Sequence, residues 1–128
     1  FAQPSRVEIL SLTPYPEAIG TDNKIVDRFP LLGKCEVTGS EKEELLEAFR
    51  STISASDDIM TVKPYHGLRL DHAGHSYTVL LCFASGSAFI HREDSSAVYA
   101  SYSLSRKKMS VFQNALKRHN LPVPAIRP

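Results

Sequence analysis

Short apolar runs alternate along the chain with segments broken by proline, glycine and acidic residues. VEILSL at 7–12 is rich in branched residues and is followed by TPYP, which predicts a strand that enters an irregular loop. Residues 18–30 show no clear period and predict mostly loop. LLGKCEVT at 31–38 predicts a second strand, which ends at Gly39.

The segment SEKEELLEAFRSTIS, residues 40–54, has the clearest helical pattern in the chain. Its apolar side chains recur at helical spacing and form one stripe: Leu45, Leu46, Phe49 and Ile53. Ser40 and Glu43 have the spacing of a capping box, which predicts that the helix opens at Ser40. Residues 106–119 predict a second amphipathic helix, which Pro122 prevents from continuing. Its apolar face consists of Met109, Phe112, Ala115 and Leu116.

Four strands are predicted between the two helices, and short turns separate them. They are residues 68–72, 77–84, 88–92 and 98–103. If the Ala-Gly pair at 73–74 is a two-residue turn, His72 faces His75 and His66 faces Leu81 across the first hairpin. Side chains alternate along a strand, so both histidines of its first strand share the core face with two leucines.

The order of elements is strand, strand, helix, four strands, helix. It predicts a single α+β domain over residues 1–128, with an antiparallel sheet of about five to six strands arranged as a meander. We expect the two amphipathic helices on one face of that sheet. Residues 1–30 would hold the first strand and the irregular loop, and residues 121–128 would form a proline-rich tail.

Composition agrees with one globular domain. The 128 residues are 42% hydrophobic and 23% charged, close to globular averages. The longest apolar run, residues 79–84, is too short to be a transmembrane segment. A net charge of +1 lacks the basic excess typical of nucleic-acid binding, so we expect no nucleic-acid partner.

The first residue and the two cysteines bear on the compartment. The sequence begins at Phe1, which we interpret as removal of a tag or of a signal peptide. Cys35 and Cys82 are compatible with one disulfide in an oxidising compartment and equally with two buried thiols. Both faces of the strand that holds Cys82 are largely apolar, which predicts a central strand and an inert thiol.

The stretch KPYHGLRLDHAGHSY at 63–77 raises the question of a metal site. Six residues separate His66 from His72, and about 20 Å of strand is too far for one metal ion. His72 and His75 could share an ion, but two ligands beside a turn fall short of a structural zinc site. We therefore predict no metal and no cofactor, and interpret His72 and His75 as the polar tip of a hairpin.

Candidate binding residues lie at the entrance to this hairpin and on the last strand. His66 is either a structural group bonded to backbone or carboxylate, or a group that contacts a ligand or transfers a proton. Arg69 projects from the opposite face and forms a surface ion pair or binds a carboxylate or phosphate of a partner. As a binding surface we predict exposed aromatic and basic groups together with His66. The set is Tyr65, His66, Arg69, Tyr99 and Tyr102.

No catalytic arrangement is visible in the sequence, and we predict no catalytic residues. The serine-rich stretches at 85–87 and 95–96 lack the glycine elbow of a hydrolase. Phosphate-loop and dinucleotide fingerprints are also missing.

The run Pro-Tyr-His-Gly-Leu-Arg at 64–69, followed by an apolar strand that ends Leu-Cys-Phe at 81–83, resembles a family of small uncharacterised bacterial proteins. Those proteins have a Pro-x-His-Gly-(Ile/Leu)-Arg and Cys-Phe pattern and often carry secretion or lipoprotein signals. The similarity covers roughly residues 31–124. Members often have further cysteines where this chain has Thr61 and Ser85. The resemblance implies an exported domain, and it brings no established activity.

From these observations we expect a non-catalytic protein-interaction domain of the bacterial cell envelope, exported to the periplasm or outer envelope. An inhibitor or immunity-type protein that masks another protein fits this expectation. Two alternatives remain open. One is a small hydrolase or ligand-binding enzyme that uses His66 and Arg69, and the other is a structural envelope component that forms homo-oligomers through an open sheet edge.

Overall fold

A computed structural model describes residues 4–13, 15, 25–26, 29–55, 64–94 and 98–123, and these form eight strands and two α-helices. The strands are β1 (Arg6–Leu12), β2 (Ile25–Val26), β3 (Phe29–Val37), β4 (Ile53–Ala55), β5 (His66–His72), β6 (His75–Cys82), β7 (Ser87–Arg92) and β8 (Val98–Leu104). The helices are α1 (Gly39–Thr52) and α2 (Met109–Arg118), and a 3-10 turn (Arg106–Lys108) precedes α2. Most of the predicted loop at 18–30, residues 124–128 of the predicted tail, and residues 95–96 lie outside the described part of the chain.

The strands lie in the order β2-β3-β1-β5-β6-β7-β8-β4, and every described neighbour pair is antiparallel. Seven of them form the main sheet, because β2 has two residues and pairs only with Phe29 and Pro30. The α+β class and the antiparallel sheet are confirmed, but the predicted count of five to six strands is wrong. Ile53 continues the apolar stripe of α1, so the helical pattern of residues 40–54 takes in Ile53 and Ser54, the first two residues of β4.

The hairpin of β5 and β6 has the predicted register. His72 pairs with His75 and His66 pairs with Leu81. Ala73 and Gly74 both have positive φ, 51° and 80°, as a two-residue turn of the I′ type requires. The turn and the alternation of side chains therefore determine which residues of this hairpin face the helices.

Both helices pack on one face of the sheet and form the main core with it. Residues from α1, α2 and the strands make up one buried cluster, which includes Leu45, Phe49, Phe112, Leu116, Ile9, Leu68, Val79 and Leu81. We call the side of the sheet on which the helices pack the helix face.

The opposite face has an apolar end and a charged end. The apolar end is a second buried cluster of Leu10, Leu12, Phe29, Leu80, Cys82 and Phe89. Cys82 is 0% exposed on the interior strand β6, which confirms the prediction of a buried thiol. We call the side of the sheet opposite the helices the outer face.

The start of α1 differs from the capping-box prediction. The helix begins at Gly39, the N-cap is Thr38, and no side chain caps it. Ser40 therefore lies inside the first turn, and Glu43 follows that turn. Glu41 also lies in this turn, and its carboxylate is bonded to α2.

Candidate functional site

Cys35 lies on β3 and its side chain points to the helix face. It pairs with Ile9 of β1, and directly paired residues of an antiparallel sheet project to the same side. The side chain is partly buried and packs against the main core. Neither cysteine is in a disulfide, because Cys35 points to the helix face and Cys82 lies on the outer face, so the disulfide alternative is wrong.

The C-terminal end of α2 carries His119 to the same place. Burial of Phe112 and Leu116 holds α2 on the sheet, and His119 is its C-cap residue. Two residues later Leu121 covers Gly33 of β3, where an added Cβ would lie 2.8 Å from Leu121 Cδ2. The chain after α2 thus runs close to β3 beside Cys35.

Three side chains contact one another in the order Cys35, His119, Glu41. We call these three residues the thiol array. The Sγ of Cys35 lies 3.3 Å from Nδ1 of His119. The other ring nitrogen of His119, Nε2, lies 2.7 Å from Oε1 of Glu41. Arg118 contacts Oε2 of the same carboxylate. A thiol, an imidazole and a carboxylate in this order form the arrangement of a cysteine nucleophile with its base and orienting group.

The carboxylate determines which nitrogen of His119 carries the proton. A carboxylate only accepts hydrogen bonds, so we assign the Nε2–H as the donor to Glu41. In the neutral ring Nδ1 is then an acceptor, and it faces the thiol of Cys35. The thiol also lies 3.4 Å from the carbonyl oxygen of Glu36, to which it can donate instead.

Glu41 stays ionised because of its neighbours. Burial raises its pKa, but hydrogen bonds and charge attraction from His119 and Arg118 outweigh burial, so the pKa lies below its ordinary value. An ionised Glu41 stabilises a protonated His119, which is the form that results when the ring takes a proton from the thiol.

The same geometry argues against a metal ion held by these three groups. The thiol and the carboxylate contact opposite nitrogens of one ring, so they cannot converge on a single ion together with it. Across the described residues, no group of three histidine, cysteine, aspartate or glutamate side chains is arranged to hold a metal.

A shallow depression of about 350 Å³ opens beside the thiol array. It is lined by Ser40, Glu41, Glu44 and Arg118. An open site of this kind accommodates part of an extended ligand rather than enclosing a small molecule.

The structure buries much of the predicted aromatic surface. Tyr65 is 3% exposed, so its predicted exposure is wrong: it lies immediately before β5 and packs edge-on against Tyr15. Tyr102 is partly buried and packs against the main core, because its β8 position faces the helices. Tyr99 belongs to β8, and its side chain lies outside the described part of the structure.

His66 is buried in the core and is 0% exposed. Neither ring nitrogen has a hydrogen-bond partner among the described residues, so the predicted bond to backbone or carboxylate is not found there. The ring packs edge-on against Phe83, with centroids 5.4 Å apart. Burial lowers the pKa of His66 to about 4, and the ring is therefore neutral at neutral pH.

Arg69 lies on the charged end of the outer face and is engaged by two carboxylates. Its Nη1 lies 3.4 Å from Oε1 of Glu8, and its Nη2 donates to Oε2 of Glu93 over 3.1 Å. Its Nε lies 2.8 Å from Oε1 of Glu93, an ion-pair contact without the alignment of a hydrogen bond. His66 and Arg69 point to opposite faces, so the structure does not bring them into one site.

The thiol array was missed in the sequence because its members are far apart along the chain. Cys35 and His119 are 84 positions apart, and no motif spans that distance. In the sequence, His119 is visible only as the last residue of the second predicted helix, and Glu41 only as an early residue of the first. A usable signal was that Cys35 lies between two charged residues on a strand, so it faces the helices.

No family model matches the chain, and no curated protein or solved structure matches it either. The resemblance to exported bacterial proteins therefore stays a prediction. In the described parts of the chain, no helix combines the length and apolar character needed to cross a membrane.

Proposed function

We propose that the protein catalyses thiol-dependent acyl transfer, with water as the final acceptor, and that Cys35 is the nucleophile. The observation that supports this proposal is the thiol array, with contacts of 3.3 Å and 2.7 Å on the two nitrogens of His119. The thiol is the nucleophile, the imidazole is its base, and the carboxylate orients the imidazole.

The reaction begins when Nδ1 of His119 takes the thiol proton of Cys35. The thiolate forms a bond to the carbonyl carbon of the substrate, and the leaving group departs with a proton from His119. Water then attacks the resulting thioester, transfers a proton to His119 and releases the acid, and the thiol regains its proton. Glu41 holds the ring in place and stabilises its charged form throughout.

A second proposal is the protein-binding domain of the bacterial cell envelope, of inhibitor or immunity type. Among the described residues, Lys34 to Val37 of β3 have no strand on the side away from β1, and this favours it, because such an edge can accept a strand from a partner. The two proposals differ in their dependence on Cys35. A biological activity that disappears in Cys35→Ala favours acyl transfer, and an activity that survives favours protein binding alone.

The acyl-transfer proposal predicts selective acetylation by p-nitrophenyl acetate. We expect a rapid release of p-nitrophenol followed by a slower steady rate, because a thioester on Cys35 forms before water cleaves it. Absorbance follows the release, and peptide mass spectrometry of quenched samples locates the acetyl group.

Cys82 is the internal comparison, since it has the same functional group but is 0% exposed. The acetyl group should be found on Cys35 and not on Cys82. Acetylation confined to exposed lysines such as Lys107 and Lys108, with none on Cys35, would contradict the proposal.

A further inference from the structure

The edge of β3 next to the thiol array has no described neighbour strand. β2 pairs with Phe29 and Pro30 only, whereas β3 continues to Val37. Among the residues that the structure describes, Lys34 to Val37 therefore have a partner strand on one side, β1, and none on the other.

Hydrogen bonds of β1 determine which backbone groups point to this edge. The N–H of Leu12 donates to Tyr65 over 3.0 Å, toward β5, and the N–H of Thr13 donates to Pro30 over 3.2 Å, toward β3. In an antiparallel strand both backbone groups of a residue point to one side and successive residues alternate. Odd-numbered residues of β1 therefore face β3.

The register carries this assignment over to β3. Cys35 pairs with Ile9, an odd-numbered residue, so the backbone of Cys35 bonds to β1. Its neighbours Lys34 and Glu36 consequently present their N–H and C=O groups to the free edge. Two donors and two acceptors thus flank the cysteine on the side away from the sheet.

We infer that the acyl substrate is an extended polypeptide that adds to the sheet as a strand along Lys34 to Glu36. This inference rests on the proposed acyl-transfer function and names its substrate class. A strand paired with Lys34 and Glu36 lies about 4.7–4.9 Å from β3 and places one of its residues directly beside Cys35.

Strand addition also accounts for carbonyl activation. A substrate carbonyl that accepts the N–H of Lys34 or Glu36 belongs to a residue next to the one beside Cys35. That backbone N–H then donates to the oxygen on which negative charge develops when the thiolate attacks. The thiol array lies on the helix face of the same strand, so the nucleophile approaches from that side.

The side chains of this edge leave it accessible. Lys34 and Glu36 project to the outer face, where Lys34 lies 3.8 Å from Glu8 and Glu36 lies 3.4 Å from Arg6. Neither side chain is directed across the free backbone groups. Recognition through the backbone accepts many sequences, with selectivity limited to the side chains that lie beside Cys35.

The test compares two esters with the same leaving group, p-nitrophenyl acetate and the p-nitrophenyl ester of N-acetyl-tetra-alanine. Because backbone hydrogen bonds hold only the peptide, we expect it to acylate Cys35 at least about tenfold faster. Every second peptide nitrogen can be methylated in two ways, at odd or at even positions. Only one of these patterns removes the N–H groups that bond to β3, and that pattern should abolish the advantage. Equal rates for acetate and peptide ester, or an advantage that survives both methylation patterns, would overturn the inference.

A backbone variant tests the same edge from the protein side. Lys34→Pro removes an N–H that points away from β1, a position where an edge strand tolerates proline. We expect the ratio of the peptide rate to the acetate rate to fall toward one, in protein whose circular dichroism matches the wild type. An unchanged ratio in this folded variant would contradict strand addition.

The outcomes separate this inference from the proposed function. Acetylation of Cys35 without any peptide advantage overturns the inference and leaves the function standing, whereas no acylation of Cys35 by either ester removes both. If a second copy of the chain occupies the edge, light scattering shows a dimer and the peptide has no advantage, which also overturns the inference.

Discussion

Replacing His119 with glutamine is expected to slow acetylation of Cys35 by p-nitrophenyl acetate by about 10²–10⁴-fold. Glutamine can still hydrogen-bond but cannot take the thiol proton, which Nδ1 of His119 receives across 3.3 Å in the native protein. The side chain of His119 is 24% exposed and outside the main core, so folding should change little. The rate is read from release of p-nitrophenol, with the acetyl group located by mass spectrometry.

His75→Gln is the matched control, because this histidine lies at the hairpin tip and its side chain is 45% exposed. Cys35 of His75→Gln should be acetylated at the wild-type rate, and Cys35→Ala should give no thioester. Glu41→Gln should slow the reaction less than His119→Gln, since the ring remains but loses its charged partner. Equal rates in wild type and His119→Gln would show that the imidazole has no role as base.

Replacing His66 with leucine is expected to remove a large part of the pH dependence of stability. The pKa of His66 is about 4 in the folded protein, and about 6.5 is typical of an unfolded chain. Between these values the unfolded chain binds a proton and the folded protein does not, so stability is full above pH 6.5 and falls as the pH decreases. From pH 7.5 to pH 5 this single group costs about 2 kcal/mol.

Denaturant unfolding at pH 7.5 and pH 5 measures the effect. The free energy of unfolding of His66→Leu should decrease less between the two pH values than that of the wild type, by about 2 kcal/mol. Carboxylates with ordinary or lowered pKa values, Glu41 included, stay ionised over most of this window. His72→Leu makes the same change at the other end of β5 and is the comparison; the reduction in pH dependence should be larger in His66→Leu than in His72→Leu. If wild type and His66→Leu lost the same stability between pH 7.5 and pH 5, the folded protein would bind a proton at His66 as readily as the unfolded chain does, which would contradict the prediction.

The hairpin of β5 and β6 shows how much of this fold a local pattern predicts. A two-residue turn fixes the register, and the alternation of leucines fixes which side is core, so the positions of His66 and Arg69 on opposite faces follow from the sequence alone. The strand count was less predictable. β4 has three residues and continues the apolar stripe of α1, and β2 has two residues in a region without any period.

The thiol array could not be predicted in the same way. It depends on how α2 lies against β3 and on the orientation of a first-turn carboxylate in α1, and both are set by tertiary packing. Amphipathic periodicity identifies the buried face of α2 but not the strand that its last residue approaches. Whether a single aromatic residue is exposed also depends on tertiary packing, as the burial of Tyr65 shows.

Alkylation of Cys35 by iodoacetamide at pH 7 tests the central claim most directly, because this small reagent needs no substrate-binding surface. We predict that Cys35 of the wild type is alkylated at least about tenfold faster than Cys35 of His119→Gln, with Glu41→Gln between them, because Nδ1 of His119 accepts the thiol proton as the sulfur attacks the reagent. The rates come from mass spectrometry of the Cys35 peptide, and His75→Gln should match the wild type. Equal alkylation rates in wild type and His119→Gln would show that the contacts of the thiol array do not activate the cysteine.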